Sequence, residues 1–185
     1  RLFSVCYSPI PDCDEVYNYW EPLHYLQHSI GMQTWEYSPL YGLRSYLFLW
    51  LYLWPLKLIQ MFFITDKVIQ FYTLRTLLAL MSIYYEIKLV QVISKQWDQL
   101  TGFVFFLFLT TSVGLYHASI AFLPQHFTMC MIMGMCNHWY QRQYKTAIVY
   151  VGLLSLIGWP FAVLVACPMA IELLYYLLKG QENIK

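Results

Sequence analysis

Charged side chains are scarce in this sequence. Asp, Glu, Lys and Arg together make up only 11% of the 185 residues, and the formal net charge is +1. A nucleic-acid partner requires a basic face, and a chain with so few and so evenly balanced charges offers none. We therefore predict no nucleic-acid partner.

Cysteine pairs of the kind that hold metals are also missing. None of the five cysteines forms a CxxC pair, and three of them lie in apolar runs, where a buried thiol is the usual state. We predict no metal site. A disulfide between Cys6 and Cys13 stays open, since it depends on whether their segment faces an oxidising lumen.

Apolar and aromatic residues are in excess instead. The chain is 59% hydrophobic and 19% aromatic, with a mean hydropathy of +0.48. That is too apolar for a soluble domain of this length, so we predict an all-α, polytopic membrane protein. The chain opens without methionine or a signal-like segment, and we expect it to be part of a longer protein.

Apolar runs occupy most of the chain after residue 44. They cover residues 45–64, 68–93, 100–116, 127–136 and 147–178, and Gly158-Trp159-Pro160 breaks the last one. About 20 apolar residues are needed to cross a hydrocarbon core. Residues 44–185 are therefore predicted to form a transmembrane helical region of about five or six spans.

Acidic residues concentrate ahead of these runs, in residues 12–26. At helical spacing, one face is predicted to carry Asp14, Tyr17, Glu21, His24 and His28. Because proline disfavours a helical residue before it, Pro22 predicts two short helices that meet near Glu21, with Pro22 at a helix start. The pattern fits an interfacial amphipathic helix and an active-site loop equally well.

Two arginines lie at or within the predicted membrane spans, where a charge needs an explanation. Arg44 lies at the mouth of the first apolar run, and Arg75 lies inside the second. A charge in a span costs about 2.5 to 3.5 kcal/mol on insertion scales, so it normally faces the protein interior or a water-filled cavity. For Arg75, a bound anion and an internal pair with a carboxylate beyond this segment both remain open.

Several short sequence motifs resemble those of one enzyme family. They are residues 12–15, 18–26, 33–39, 44–46, 74–79, 117–124 and 158–161. They resemble the dolichyl-phosphate-mannose-dependent mannosyltransferases of the endoplasmic reticulum, which belong to the C superfamily of glycosyltransferases and include the GPI-anchor and alpha-1,6 enzymes. The motifs at residues 18–22 and 35–39 resemble those of the alpha-1,2 members of the family. Two departures, at 125–126 and 40–42, concern the substrate pocket.

The resemblance implies a fold, a cellular location and a reaction. Residues 1–43 are expected to be a luminal catalytic loop with short amphipathic helices, ahead of the spans of a multi-pass endoplasmic reticulum membrane protein. The implied donor is dolichyl-phosphate mannose and the implied acceptor is the dolichyl-diphosphate-linked oligosaccharide precursor of N-glycans, with no cofactor. The alternatives are a GPI-anchor or alpha-1,6 mannosyltransferase, or a non-enzymatic transporter, although transporters place their sites at mid-membrane.

The resemblance also suggests residue roles. A beta-linked donor that gives an alpha product requires inversion, and a single base suffices. We expect Asp14 to be that base, with Glu15 orienting it or the acceptor; a helix N-cap would also explain Asp14. The expected substrate-binding residues are Tyr17, Glu21, His24, Trp35, Glu36, Tyr37, Arg44, Arg75 and His117. The two arginines are expected to clamp phosphate, because a guanidinium pairs bidentately with its oxygens.

Overall fold

A computed structural model of the chain describes residues 1–62 and 66–179. Within these two ranges the regular structure is entirely helical, which confirms the predicted all-α class. The α-helices are α1 (Leu2–Tyr7), α2 (Cys13–Glu15), α3 (Glu21–His28), α4 (Leu47–Phe62), α5 (Lys67–Gln96), α6 (Gln99–Thr111), α7 (Val113–Ala118), α8 (Pro124–Tyr140), α9 (Tyr144–Leu153) and α10 (Cys167–Leu178). Turns of π-helix cover Val16–Trp20 and Leu154–Gly158, and 3-10 helix covers Trp35–Tyr37 and Pro160–Ala166.

The apolar runs form helices close to their predicted bounds. Lys67–Gln96, with 30 residues, and Pro160–Leu178, with 19, are long and apolar enough to cross a membrane, and they suggest membrane association. Shorter apolar helices cover Leu47–Met61, Gln99–Thr111 and Tyr144–Gly158. The count of five or six spans stays a prediction. The predicted end of the first span, at residues 63 and 64, lies outside the described residues.

The chain divides into two compact units. The first unit comprises Arg1–Leu80 and Tyr116–Leu123, and the second comprises Met81–Leu115 and Pro124–Lys185. In the first unit, the buried side chains of Val5, Ala79 and Ile120 pack together, so that α1, α5 and the segment after α7 share one core. The acidic N-terminal stretch contacts the same segment after α7, where Oε1 of Glu15 accepts the backbone N–H of Phe122.

The second unit contains the predicted break in the last apolar run. Trp159 is extended (φ −109°, ψ 121°) between the π-turn and the 3-10 helix that begins at Pro160. A proline removes a helical hydrogen bond and pushes the residue before it toward extended angles. The backbone N–H of Trp159 donates to the hydroxyl of Thr128 at 3.2 Å instead. The predicted break is confirmed.

Helix α8 packs closely on α9 at Gly134, which faces the ring of Tyr150. A methyl group at position 134 would overlap that ring, whereas one at Gly152 meets nothing within 4 Å. We expect Gly134→Ala to destabilise the protein by about 1–3 kcal/mol, the usual cost of overpacking. Gly152→Ala should be neutral or stabilising by up to about 1 kcal/mol, because alanine favours helix. Thermal unfolding of the full-length variants in detergent measures both, and equal midpoints would contradict this packing.

Candidate active site

Residues 13–28 form one helical stretch, widened by a π-turn at Val16–Trp20. Asp12 caps its start, since its side-chain Oδ1 accepts the backbone N–H of Asp14 at 2.9 Å. Pro22 lies in the first turn of α3, as predicted. Glu21, however, has helical angles (φ −63°, ψ −47°). The predicted meeting point is confirmed, because the π-turn ends at Trp20 and α3 begins at Glu21. The expectation that the proline moves Glu21 out of the helical region is wrong.

The side chain of Tyr37 replaces the hydrogen bond that Pro22 cannot donate. Pro22 has no N–H to donate to the carbonyl of Asn18, four residues earlier. That carbonyl accepts a hydrogen bond from the hydroxyl of Tyr37 at 2.6 Å. The helical stretch continues through the proline because another segment supplies a donor.

The π-turn also changes which residues share a face. A π-turn has i→i+5 hydrogen bonds and so holds one residue more than an α-turn, which rotates the residues after the turn relative to those before it. Asp14 contacts the segment around Arg44, whereas Glu21 and His24 line a cavity to which Asp14 does not contribute. Tyr17 is half exposed. The prediction that Asp14 shares a helix face with Glu21 and His24 is therefore wrong.

Arg44 connects the helical stretch to the segment after it. Its Nη2 lies 3.0 Å from Oδ1 and 3.4 Å from Oδ2 of Asp14. Its Nε donates to the carboxylate of Glu36, and its Nη1 donates to the hydroxyl of Tyr19. Each guanidinium nitrogen thus has a protein partner. A guanidinium has five N–H groups, so Nη1 keeps a second N–H beside its bond to Tyr19. The predicted phosphate contact of Arg44 stays a prediction.

Asp14 is held unevenly by its neighbours. Its Oδ1 accepts from Arg44 and also from the side-chain amide of Asn18, whose own Oδ1 accepts the hydroxyl of Thr34 at 2.6 Å. Among residues 1–62 and 66–179, its Oδ2 has only the longer contact with Arg44. The side chain is 38% exposed. One carboxylate oxygen is therefore held by two donors, while the other has a single longer contact on a partly exposed side chain.

The groups around Asp14 keep fixed protonation states at neutral pH. Burial raises the pKa of Tyr19 to about 12, although Arg44 opposes the shift, and burial also raises the pKa of Tyr37 above its usual value. Burial disfavours the charge on Arg44, but the hydrogen bond to Glu36 and the negative charges nearby outweigh it and raise the pKa of Arg44. The guanidinium stays charged and both phenols stay neutral.

Glu15 turns away from Asp14. It is 3% exposed, and its Oε1 accepts two hydrogen bonds of 2.9 Å, from the indole N–H of Trp20 and the backbone N–H of Phe122. Burial raises the pKa of Glu15 despite these bonds and the charge of Arg75. Its contacts join the helical stretch to the segment after α7. The predicted role of orienting Asp14 has no contact to support it.

Arg75 and His117 meet at the same residue of the first unit. The buried guanidinium of Arg75 donates to the carbonyl of Ser8 at 2.7 Å and lies over the ring of Phe71, 5.2 Å from its centroid. Nδ1 of His117 lies 2.7 Å from the hydroxyl of Ser8. Both expectations for Arg75, a bound anion and a pair with a carboxylate beyond this segment, stay predictions.

The aromatic residues of the 35–41 segment differ in exposure. Trp35 is 59% exposed and packs edge-on against Tyr41. Tyr37 is buried and lies against Tyr46, with ring centroids 4.9 Å apart. Trp35 can thus offer a ring face to a membrane or a ligand. Tyr37 supports the backbone of Asn18 instead of offering its ring to a substrate.

A cavity of about 240 Å³ lies beside α3 in the first unit. It is lined by Ile10, Val16, Trp20, Glu21, Leu23, His24, Gln27, His28, Leu56, Lys67, Gln70 and Phe71. The turn after α3 passes close to it: Gly31 has φ +146°, and a Cβ there would lie 3.3 Å from Oε2 of Glu21 and 3.4 Å from Nδ1 of His24. The predicted pairing of Glu21 with His24 on one face is confirmed.

Asn18, Tyr19 and Thr34 belong to the site but were not predicted. One signal existed, because a proline four residues after Asn18 leaves its carbonyl without a helical donor. Over residues 1–62 and 66–179, no group of three or more His, Cys, Asp or Glu is placed to hold a metal ion. Cys6 and Cys13 are free and exposed.

The structure defines a helical protein with paired carboxylates ahead of its apolar helices, and two of these helices suggest membrane association. The chain belongs to the Alg9-like mannosyltransferase family, whose model matches residues 1–184. No solved structure matches the chain.

Curated relatives agree with the family. The alpha-1,2-mannosyltransferases ALG9 of Mus musculus and Homo sapiens are each 38% identical over 174 residues, which is 94% of this chain and 28% of theirs. The alpha-1,2-mannosyltransferase ALG9 of Saccharomyces cerevisiae is 31% identical over 176 residues, 91% of this chain and 32% of its own. The chain thus spans about a third or less of the length of these relatives.

Burial of Glu15 predicts a pH-dependent stability. Its folded-state pKa lies above the ordinary 4.5, so the folded state binds the proton more tightly, and Glu15 costs stability as the pH rises from 4.5 through the raised pKa. Glu15→Gln keeps an acceptor oxygen and removes this cost. Its stability relative to wild type should rise between pH 4.5 and 7, as measured by thermal unfolding of the full-length protein.

Glu15→Ala is the matched comparison. It leaves the N–H groups of Trp20 and Phe122 without an acceptor, at a cost of about 1–3 kcal/mol for each buried donor. A stability difference between Glu15→Gln and wild type that does not change with pH would contradict the buried, proton-binding carboxylate.

Proposed function

We propose that the protein to which this segment belongs transfers mannose from dolichyl-phosphate mannose to the dolichyl-diphosphate-linked oligosaccharide precursor of N-glycans, in alpha-1,2 linkage. The family match over residues 1–184 and the alpha-1,2-mannosyltransferase activity named for the relatives support this proposal. The observation that carries it is the half-anchored carboxylate of Asp14. We place the reaction on the luminal side of the endoplasmic reticulum membrane, in a multi-pass protein.

The proposed reaction is a single inverting displacement. The acceptor hydroxyl oxygen forms a bond to the anomeric carbon of mannose as the bond from that carbon to the phosphate oxygen breaks. The phosphate leaves with the electron pair as dolichyl phosphate. Asp14 takes the proton of the attacking hydroxyl as a general base, a step worth about 10²- to 10⁴-fold in rate.

The two oxygens of Asp14 have different tasks in this proposal. Oδ1 holds the side chain in place, because it accepts from Arg44 and Asn18. In the part of the chain that the structure describes, Oδ2 has only a 3.4 Å contact, and we assign the proton to this oxygen. The N-cap alternative for this residue loses weight, since the side chain that caps the helix start belongs to Asp12.

Arg44 is a positioning residue in this proposal. Its three nitrogens fix Asp14, Glu36 and Tyr19 relative to one another. A bidentate phosphate clamp would need two N–H groups directed at the ligand, whereas each nitrogen of Arg44 already has a protein partner. Oε2 of Glu36 is paired with Arg44, which leaves Oε1 for the predicted substrate contact.

Acceptor choice separates the sister activities. A GPI-anchor or alpha-1,6 enzyme would use other acceptors with the same donor, and a transporter would give no transfer. The polar cluster lies ahead of the apolar helices, in residues 12–44, whereas transporter sites lie near mid-membrane on broken helices. A transfer assay with truncated lipid-linked acceptors distinguishes these possibilities.

Asp14→Asn should lower mannosyl transfer by at least about 10²-fold, because the amide cannot take the proton. Asp12→Asn is the matched control: it lies two residues away, is exposed, and keeps an oxygen able to cap the helix. We expect the control to keep near-full activity in a microsomal assay of the full-length protein. Comparable activity of both variants would remove Asp14 from the role of base.

Arg44→Lys tests positioning against phosphate clamping. One ammonium cannot hold three partners in the planar geometry of a guanidinium, so Asp14 loses its orientation. Misplacement of about 1 Å costs on the order of 10²-fold in rate, and we expect kcat to fall while KM for the donor changes little. A rise in donor KM at unchanged kcat would identify Arg44 as a donor-binding residue instead.

A further inference from the structure

A second cavity, of about 350 Å³, lies within the second unit, between the last turns of α5 and the end of α8. Small-molecule sites occupy about 300–1,000 Å³, so this volume is large enough for a small ligand. The cavity shares no residue with the candidate active site, since Asp14 and Arg44 belong to the first unit. It is lined by Tyr84, Lys88, Gln91, Val92, Lys95, Asn137, His138 and Gln141.

Both walls of this cavity rest on helices. Its lining residues on α5 recur every three or four positions, a spacing that places side chains on one face of a helix. The other wall comes from the last turn of α8 and the residue after it. The side-chain amide of Gln96 donates to the backbone carbonyl of Tyr140 at 2.6 Å, which fixes the end of α5 against the end of α8.

The lining carries positive charge without a carboxylate to balance it. Lys88 and Lys95 are exposed, and none of the eight described lining residues is Asp or Glu. Nζ of Lys88 lies over the ring of Tyr84, 5.8 Å from its centroid, and neither lysine forms an ion pair within residues 1–62 and 66–179. The cavity therefore favours an anionic ligand.

Asn137 gives independent evidence for a ligand. It is 9% exposed and lines the cavity. Its backbone carbonyl accepts from the side chain of Gln141 at 2.9 Å, but its own side-chain amide has no hydrogen-bond partner among the described residues. Buried polar groups are usually hydrogen-bonded, because an unpaired one loses its hydration without compensation. A ligand in the cavity would supply the missing partner.

Further hydrogen-bonding groups surround this amide. Nδ1 of His138 lies 2.7 Å from Oε1 of Gln143, and the ring stacks on Tyr150 with centroids 5.3 Å apart, so the imidazole is held in place. Its Nε2 and the side-chain amide of Gln91 have no partner in the described part of the chain. Amides both donate and accept, which suits a ligand that carries hydroxyl groups beside its negative charge.

The position along α5 suits a ligand at a membrane surface. At 1.5 Å per residue, this 30-residue helix is about 45 Å long. A bilayer measures about 40–45 Å when its head-group regions are included. When α5 spans a bilayer, its last two turns, with Gln91 and Lys95, lie at head-group level. Basic pockets between spans at this depth bind anionic lipid head groups.

The two lysines by themselves have a simpler explanation. The C-terminal end of a helix carries a partial negative charge that favours cations, and a lysine inside a span can extend to water. Both effects account for Lys88 and Lys95. Neither accounts for the buried, unpaired amide of Asn137 on the facing helix. The site therefore depends on the cavity and on Asn137 together with the lysines.

We propose that this cavity binds a phosphate ester that carries hydroxyl groups, such as the head group of phosphatidylinositol. Lys88 and Lys95 hold the phosphate, and the amides of Gln91 and Asn137 bind the hydroxyls. The ligand is a constituent of the bilayer or a soluble ester, and it is neither donor nor acceptor in the proposed mannosyl transfer. The site therefore does not rest on the proposed function.

Binding of short-chain lipids to the full-length protein in detergent tests the site. We expect dioctanoyl phosphatidylinositol to bind at least about tenfold more tightly than dioctanoyl phosphatidylcholine, whose head group has no net charge and no hydroxyls. Glycerophosphoinositol, which has the same head group without acyl chains, separates the two sources. Much weaker binding of this ester assigns the site to a membrane lipid, and equal binding assigns it to a soluble phosphate ester.

Three variants locate the binding. Lys88→Gln and Lys95→Gln should each weaken binding about tenfold, the effect of one charge-assisted hydrogen bond. Asn137→Leu should weaken it similarly while leaving the unfolding midpoint of the free protein unchanged or higher, because it removes an unpaired polar group. Lys145→Gln is the matched control, since this lysine is exposed in the same unit but does not line the cavity.

Hydrogen exchange of the wild-type protein gives a measurement that needs no variant. Dioctanoyl phosphatidylinositol should slow amide exchange at the end of α5 and in residues 137–143. Slowed exchange only elsewhere, equal affinity for the two lipids, unchanged binding by Asn137→Leu, or an equal loss in Lys145→Gln and the two lysine variants of the cavity would overturn the proposal. Asp14→Asn should bind the lipid as wild type does, so this site and the proposed base can fail separately.

Discussion

The ion pair between Arg44 and Asp14 joins two segments that lie 30 residues apart in sequence. Through its other nitrogens the same guanidinium holds Glu36 and Tyr19, so a single side chain fixes the relative position of the helical stretch and the segment after it. The pair is only partly exposed, at 17% for Arg44 and 38% for Asp14. It holds one carboxylate oxygen at 3.0 Å and the other at 3.4 Å, an asymmetry that suits the general base proposed above.

A proline makes this arrangement possible. Pro22 cannot donate to the carbonyl of Asn18, and the hydroxyl of Tyr37 takes the vacant place. Asn18 is then held from both sides: its backbone carbonyl by Tyr37 and its side-chain oxygen by Thr34. Its amide group is directed at Asp14. A local defect of the helix thus becomes the means by which the following segment reaches the carboxylate.

The sequence predicted the helices well and the site only in part. Long apolar runs report helix positions directly, because their length and composition are local properties; the break at Trp159 was predictable from Pro160 in the same way. The face shared by Asp14 and Glu21 was wrong, because helical spacing assumes 3.6 residues per turn and the π-turn between them does not keep it. The burial of Glu15 against Phe122 could not be predicted from the sequence, because a contact between residues more than a hundred positions apart leaves no local pattern.

An experimental structure of the full-length protein with a lipid-linked acceptor and an unreactive donor analogue tests the central claim most directly. The account predicts the attacking acceptor hydroxyl within hydrogen-bond reach of Oδ2 of Asp14, about 2.6–3.2 Å, with Oδ1 still bound by Arg44. An acceptor hydroxyl bound by another carboxylate, with both oxygens of Asp14 taken up by Arg44, would contradict it.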